Sequence, residues 1–194
     1  IGGLYKSRRT GHNYIWENSV ELLKHNDTKW TPLARIKTQK GGLASCLFNN
    51  DYILECGGTN GIIKKFVKSC SVYNFNTNEW KTVKDMNHER CQHAITYDDI
   101  NNRIIVAGGS KGTTKNSRIV ETYDPNKNIW IDLPNSLNFV HSRSCLYVNN
   151  NGCIIIGGKN GFEMYDPRMN GNKWEIMGTL QDIINVDKKF SLED

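Results

Sequence analysis

The chain has 194 residues, with 25 Lys and Arg against 20 Asp and Glu for a formal net charge of +5, and a hydrophobic fraction of 38% with 10% aromatics. That is ample apolar material for a packed core in a chain of roughly one domain's length, which excludes wholesale disorder. The longest aliphatic runs, Ile104-Ile105-Val106-Ala107 and Ile154-Ile155-Ile156, fall far short of the roughly 18–20 residues of a membrane span, so no segment is expected to cross a bilayer.

Taken in order, the chain divides into four units of similar layout. The first, about 1–34, opens on Gly2-Gly3, carries Ser19-Val20-Glu21-Leu22-Leu23 and ends on Trp30. It lacks a first strand and nearly all of a second. The second unit, 35–84, runs from a strand at 42–48 through Gly57-Gly58 and Val72-Tyr73-Asn74 to Trp80. In the third, 85–136, a strand at 92–97 is followed by a β-branched run closing on Gly108-Gly109, then by Val120-Glu121-Thr122-Tyr123-Asp124-Pro125 and Trp130. The fourth, 137–180, has a strand at 143–148, Gly157-Gly158, Phe162-Glu163-Met164-Tyr165-Asp166-Pro167 and Trp174. Residues 181–194 read as a tail or the start of a further segment, without a fifth glycine doublet.

Three landmarks recurring in one order at a period near 50 residues are the signature of a repeat architecture. The run Arg103-Ile104-Ile105-Val106-Ala107 is apolar at consecutive positions, as expected of a strand covered on both faces. Asn74-Phe75-Asn76-Thr77-Asn78 and Asp124-Pro125-Asn126-Lys127-Asn128 are turn chemistry, which places Tyr and Trp on two arms of one hairpin. The tyrosines and tryptophans Tyr73, Trp80, Tyr123, Trp130, Tyr165 and Trp174 are read as mortar between sheets rather than as a ligand site. Gly57, Gly58, Gly108, Gly109, Gly157 and Gly158 are read as positions of positive φ or close backbone approach.

This combination resembles the Kelch repeat, which implies an all-β chain of propeller blades with four antiparallel strands each. Three and a half blades make an incomplete ring, so the chain is expected to be part of a longer propeller with blades before Ile1 and any appended domain outside it.

In such a blade the loops between second and third strands share a face with the connectors between blades. These segments carry sixteen basic side chains against four acidic ones, whereas the short turns of the opposite face are built from Asn, Asp and Gly. A basic face steers acidic partners toward it. The expected partner-binding residues are Arg8, Arg9, Lys40, Lys64, Lys65, Arg90, His93, Lys111, Arg118 and Arg143. Of these, Arg90-Cys91-Gln92-His93 matches the Arg and His that open first strands in Kelch repeats. The resemblance implies that Lys40, Arg90 and Arg143 line a peptide-binding mouth.

No catalytic or metal-binding motif is present: the five His are scattered, the six Cys lack C-x-x-C spacing, and no phosphate-binding loop occurs. The cysteines read as reduced, buried thiols of a cytoplasmic protein. The expectation is a non-enzymatic protein-interaction module without cofactor or metal, recognising an acidic peptide segment. Within the family this suits the substrate-recognition part of a ubiquitin-ligase adaptor. The alternatives are an actin-associated scaffold or a single-stranded nucleic-acid binder, with a copper- or sugar-dependent Kelch enzyme further behind; oligomerisation is expected only through a domain outside this chain.

Overall fold

The computed structural model describes residues 3–6, 14–60, 65–110, 118–134, 137–168 and 173–179. Within the first unit, β1 (Gly3–Lys6) and β2 (Tyr14–Glu17) form a hairpin, and β3 (Val20–Leu22) pairs with β4 (Thr31–Leu33). The second unit begins with β5 (Lys40–Gly41), followed by β6 (Ala44–Phe48), β7 (Tyr52–Cys56), β8 (Thr59–Asn60), β9 (Lys65–Phe66), β10 (Cys70–Asn74) and β11 (Glu79–Val83). Here β6-β7-β10-β11 form a four-stranded antiparallel blade, and β5-β8-β9 a small separate sheet. The third blade is β12 (Ala94–Asp98), β13 (Arg103–Ala107), β14 (Val120–Asp124) and β15 (Ile129–Asp132). The fourth is β16 (Cys145–Val148), β17 (Ile154–Gly158), β18 (Gly161–Tyr165) and β19 (Trp174–Gly178). Strand order follows sequence order in each blade, with the innermost strands β6, β12 and β16 side by side. The arrangement is an incomplete β-propeller.

The core lies between blades rather than inside a sheet. The apolar run of the third blade is covered from both sides, so Ile104, Ile105, Val106 and Ala107 are all fully buried. Ile104 and Val106 pack with Phe48, Leu54, Cys56 and Cys70 of the second blade. Ile105 and Ala107 point the other way, toward Ile154 and Ile156 of the fourth. Each fully buried aliphatic side chain of this kind contributes about 1.5–3 kcal/mol by leaving water.

Tyr and Trp face each other across the hairpins in register, as Tyr73↔Trp80, Tyr123↔Trp130 and Tyr165↔Trp174, with ring centroids 5.2, 5.0 and 5.5 Å apart. Each pair faces the preceding blade. Trp80 Nε1 donates to the Ala34 carbonyl at 2.7 Å, and Trp130 Nε1 to that of Lys84 at 2.8 Å. Asn78 and Asn128, at φ 54° in the turns, accept from the Tyr hydroxyl of their own blade and from the backbone of the preceding connector. Trp30 of the first unit, by contrast, is 60% exposed.

The glycine doublets divide into two kinds. Gly57 and Gly108 have φ of 65° and 69°, and a Cβ on either would strike the backbone carbonyl of Arg90 or His141 in the following blade. Gly157 and Gly158 instead lie inside β17, which continues through them to a two-residue turn at Lys159-Asn160; a Cβ on Gly157 would meet the Phe162 ring. The fourth doublet therefore makes room for a ring, and its blade joins the two strands by a short turn.

Candidate interaction face

A connector leads from the fourth strand of each blade to the first strand of the next, and each ends on a buried basic residue. Lys40 Nζ lies 3.1 Å from both oxygens of Glu55 and from the Ser69 carbonyl. Arg90 Nη2 donates to Glu121 Oε1 at 2.6 Å, while its Nη1 donates to the carbonyls of Gly108 and Ile119 at 2.9 Å. His141 Nε2 sits 2.9 Å from Glu163 Oε1. The three places are equivalent. Gly58 N–H donates to the Arg90 carbonyl and Gly109 N–H to that of His141, and the pairings Gly41↔Thr59 and Cys91↔Ser110 put Lys40 where Arg90 stands one blade later.

The carboxylates differ in origin. Glu121 and Glu163 come from the third strand, two residues before the tyrosine. In the second blade Ser71 holds that place, and the carboxylate is supplied by Glu55, directly opposite on β7, with the Ser71 hydroxyl donating to it. Burial pushes the Glu55 carboxyl above its ordinary range, and the Lys40 charge and Ser71 bond oppose that shift.

Two residues beyond each of these buried side chains the chain turns at the rim. Gly42, Gln92 and Arg143 all have left-handed φ, 64°, 54° and 56°. The Gln92 N–H donates to the Gly42 carbonyl at 2.7 Å and the Arg143 N–H to the Gln92 carbonyl at 2.8 Å, so a hydrogen-bonded path crosses from blade to blade. The conformation costs Gln and Arg on the order of 1 kcal/mol each, which the path offsets. Lys65, on the small sheet beside Gly41, is exposed, as are Arg118, whose carbonyl accepts the Leu137 N–H, and Arg143 itself.

The repeat, the four-stranded sheets and the aromatic wedges agree with the comparisons. The Kelch motif matches residues 41–87 and 100–136. The Kelch repeat protein C2 of Vaccinia virus (strain Western Reserve) is 32% identical over 177 residues, 91% of this chain and 31% of that protein. This chain belongs to the Kelch-repeat family. Two Caenorhabditis elegans proteins are also similar over 132 residues: Kelch repeat-containing protein kel-10 at 29% identity and Kelch repeat and BTB domain-containing protein F47D12.7 at 28%. In both cases the match covers 66% of this chain and 22% of the relative. The chain thus spans between about a fifth and a third of these curated relatives.

Against this Kelch frame the expected partner-binding residues separate into three groups. Lys65, Arg118 and Arg143 are exposed on the connector side. Arg8, Arg9, Lys64 and Lys111 lie outside the described residues. Lys40, Arg90 and His93 are corrected: all three are buried, and a partner cannot reach them. Lys40 and Arg90 spend their charge on Glu55 and Glu121. Arg143 does not share their place, which belongs to His141. His93 Nε2 lies 3.3 Å from the Cys56 thiol, and burial, aided by the Arg90 charge, pulls its pKa down to about 3. Burial pushes the Cys56 thiol up, so this Cys–His pair is two neutral groups and not an activated nucleophile.

The basic face is also smaller than strand order predicts. The Ala34 and Lys84 N–H groups bond to Asn78 and Asn128, so the connectors leave their blades beside the turns of the next blade, on the outer side. Arg35 and Lys84 lie there and not at the rim. A hollow of about 1050 Å³ opens along the β11 edge between the second and third blades and lies away from this rim. Sequence reasoning missed Glu55, Glu121 and Glu163. A glutamate two residues before the tyrosine in two successive units was the available signal.

Proposed function

We propose that this chain is a non-enzymatic recognition module whose connector-side rim, carrying Lys65, Arg118 and Arg143, receives an acidic segment of a partner protein. Protein interaction is the general role of Kelch repeats, and an acidic partner is the finer proposal added to it. The observation that carries it is the hydrogen-bonded path Gly42–Gln92–Arg143, which joins the connectors of successive blades along one rim. Exposed cations at one rim raise encounter rates with acidic segments and make binding salt-sensitive. One relative is by name a Kelch and BTB domain protein. Where these repeats are joined to such a domain, the role we propose is substrate recognition for a cytoplasmic ubiquitin ligase.

The test is fluorescence anisotropy with a labelled Asp/Glu-rich peptide, comparing the chain with Lys65→Glu/Arg118→Glu/Arg143→Glu. Binding that weakens with added salt and is lost in the triple variant supports the reading. Equal binding by both proteins, or none by either, overturns it.

A further inference from the structure

Glu121 and Asp132 stand directly opposite each other on β14 and β15. Like charges in register on neighbouring strands repel unless a cation lies between them. Arg90 answers Glu121 at Oε1. A second group converges from the connector: His88 Nε2 is 2.8 Å from Asp132 Oδ2, and donor atoms of His88, Asp132 and Glu121 all lie within 4.8 Å of one another.

Three observations set this cluster apart from the repeated frame. First, the following blade builds the same buried carboxylate without it. There Phe139 takes the place of His88, Ile176 stands opposite Glu163, and Glu163 is satisfied by donors from Asn138, Phe139 and His141 alone. The second blade has Thr82 opposite Ser71 at this register. The imidazole and the second carboxylate are therefore not needed to fold a blade. Second, Asn87 orients both acids: its N–H donates to Glu121 Oε2 at 2.7 Å and its Nδ2 to Asp132 Oδ1 at 2.9 Å. This leaves Oδ2 toward His88, the outer-sphere bonding that aims carboxylates at a metal. Third, the side chains of His88 and Asp132 are 28% and 45% exposed, so an ion can enter from solvent, while Glu121 forms a buried floor.

We propose that His88, Asp132 and Glu121 form a binding site for one divalent transition-metal ion of the zinc class, with water completing its coordination. One imidazole nitrogen with two carboxylate oxygens suits zinc, which takes four ligands of mixed N and O type; calcium and magnesium require six or more oxygens or several retained waters. Two carboxylates against one guanidinium leave a net charge of −1 for the ion to meet, and Arg90 keeps the affinity moderate. A bound ion would tie the connector holding His88 to both outer strands of the third blade.

The experiment is titration of the EDTA-treated and dialysed full chain with zinc chloride by calorimetry, and with cobalt chloride by visible absorption. One equivalent bound, with the intense d–d bands of low-coordinate cobalt, is expected. His88→Ala and Asp132→Asn should each weaken binding roughly tenfold or more, whereas His25→Ala, on an exposed turn elsewhere, should not. Asp132→Asn is exposed and preserves shape, so its folding, checked by circular dichroism, keeps the comparison valid. No saturable binding, unchanged affinity in both site variants, or tighter binding of calcium than of zinc would each overturn the proposal.

Discussion

The third and fourth blades hold the same buried carboxylate by different means. In the third, Arg90 bridges Glu121 and two backbone carbonyls with a permanent charge. In the fourth, His141 makes a single contact to Glu163, and the backbone and side chain of Asn138 and the N–H of Phe139 supply the rest. The site thus needs donors aimed at a buried carboxylate, and the blade frame accepts any residue that supplies them. Its neighbours respond: the more the connector backbone contributes, the less the cation must.

The largest effect should come from emptying the Arg90 site. Arg90→Ala leaves the fully buried Glu121 without its counter-charge, with the Asn87 N–H as its remaining donor, and should cost about 3–5 kcal/mol in urea unfolding. His141→Ala leaves Glu163 its Asn138 and Phe139 donors and should cost clearly less; equal losses would break the comparison. The doublets give the next contrast. Gly108→Val forces a side chain into a left-handed backbone against the His141 carbonyl, at roughly 2–4 kcal/mol. Gly157→Ala meets only the half-buried Phe162 ring and should cost less than about 1.5 kcal/mol, read from the same unfolding curves.

His93 sharpens the view of the second-to-third blade interface through pH. Its folded pKa, about 3, lies below the unfolded value of 6.5. The stability it contributes is therefore full above pH 6.5 and is lost as pH falls toward 3, because the unfolded chain takes up a proton the folded one refuses. The slope attributable to this group is about 1.4 kcal/mol per pH unit in that window. Unfolding of His93→Gln measured between pH 7 and 4 should show a flatter dependence. Trp130→Phe keeps the ring contact with Tyr123 but loses the bond to Lys84, for roughly 1 kcal/mol plus a small cavity, measured as a lowered melting temperature. Smallest of all, Arg143→Glu should change stability by no more than about 0.5 kcal/mol.

Much of the fold was legible because its signals are local. The tyrosine and tryptophan sit seven residues apart around an Asn-rich turn, and the observed registers Tyr73↔Trp80 and Tyr123↔Trp130 follow from that spacing. The burial of Ile104–Ala107 on both faces likewise needs only the apolar run and a sheet on each side. The site was less legible because its charges are settled at a distance. Arg90 and Arg143 look alike in sequence, yet one meets a glutamate 31 residues away while the other turns outward two places further along its connector than the equivalent His141.

What the amino-acid sequence determined by itself, then, is the Kelch repeat: strand periodicity, turn chemistry and the aromatic pairs, all physics of neighbours within one hairpin. Only the tertiary structure decided which cations are spent inside and which stay exposed to solvent. A buried charge survives only where another strand places a carboxylate against it, and that encounter depends on how strands and connectors are brought together.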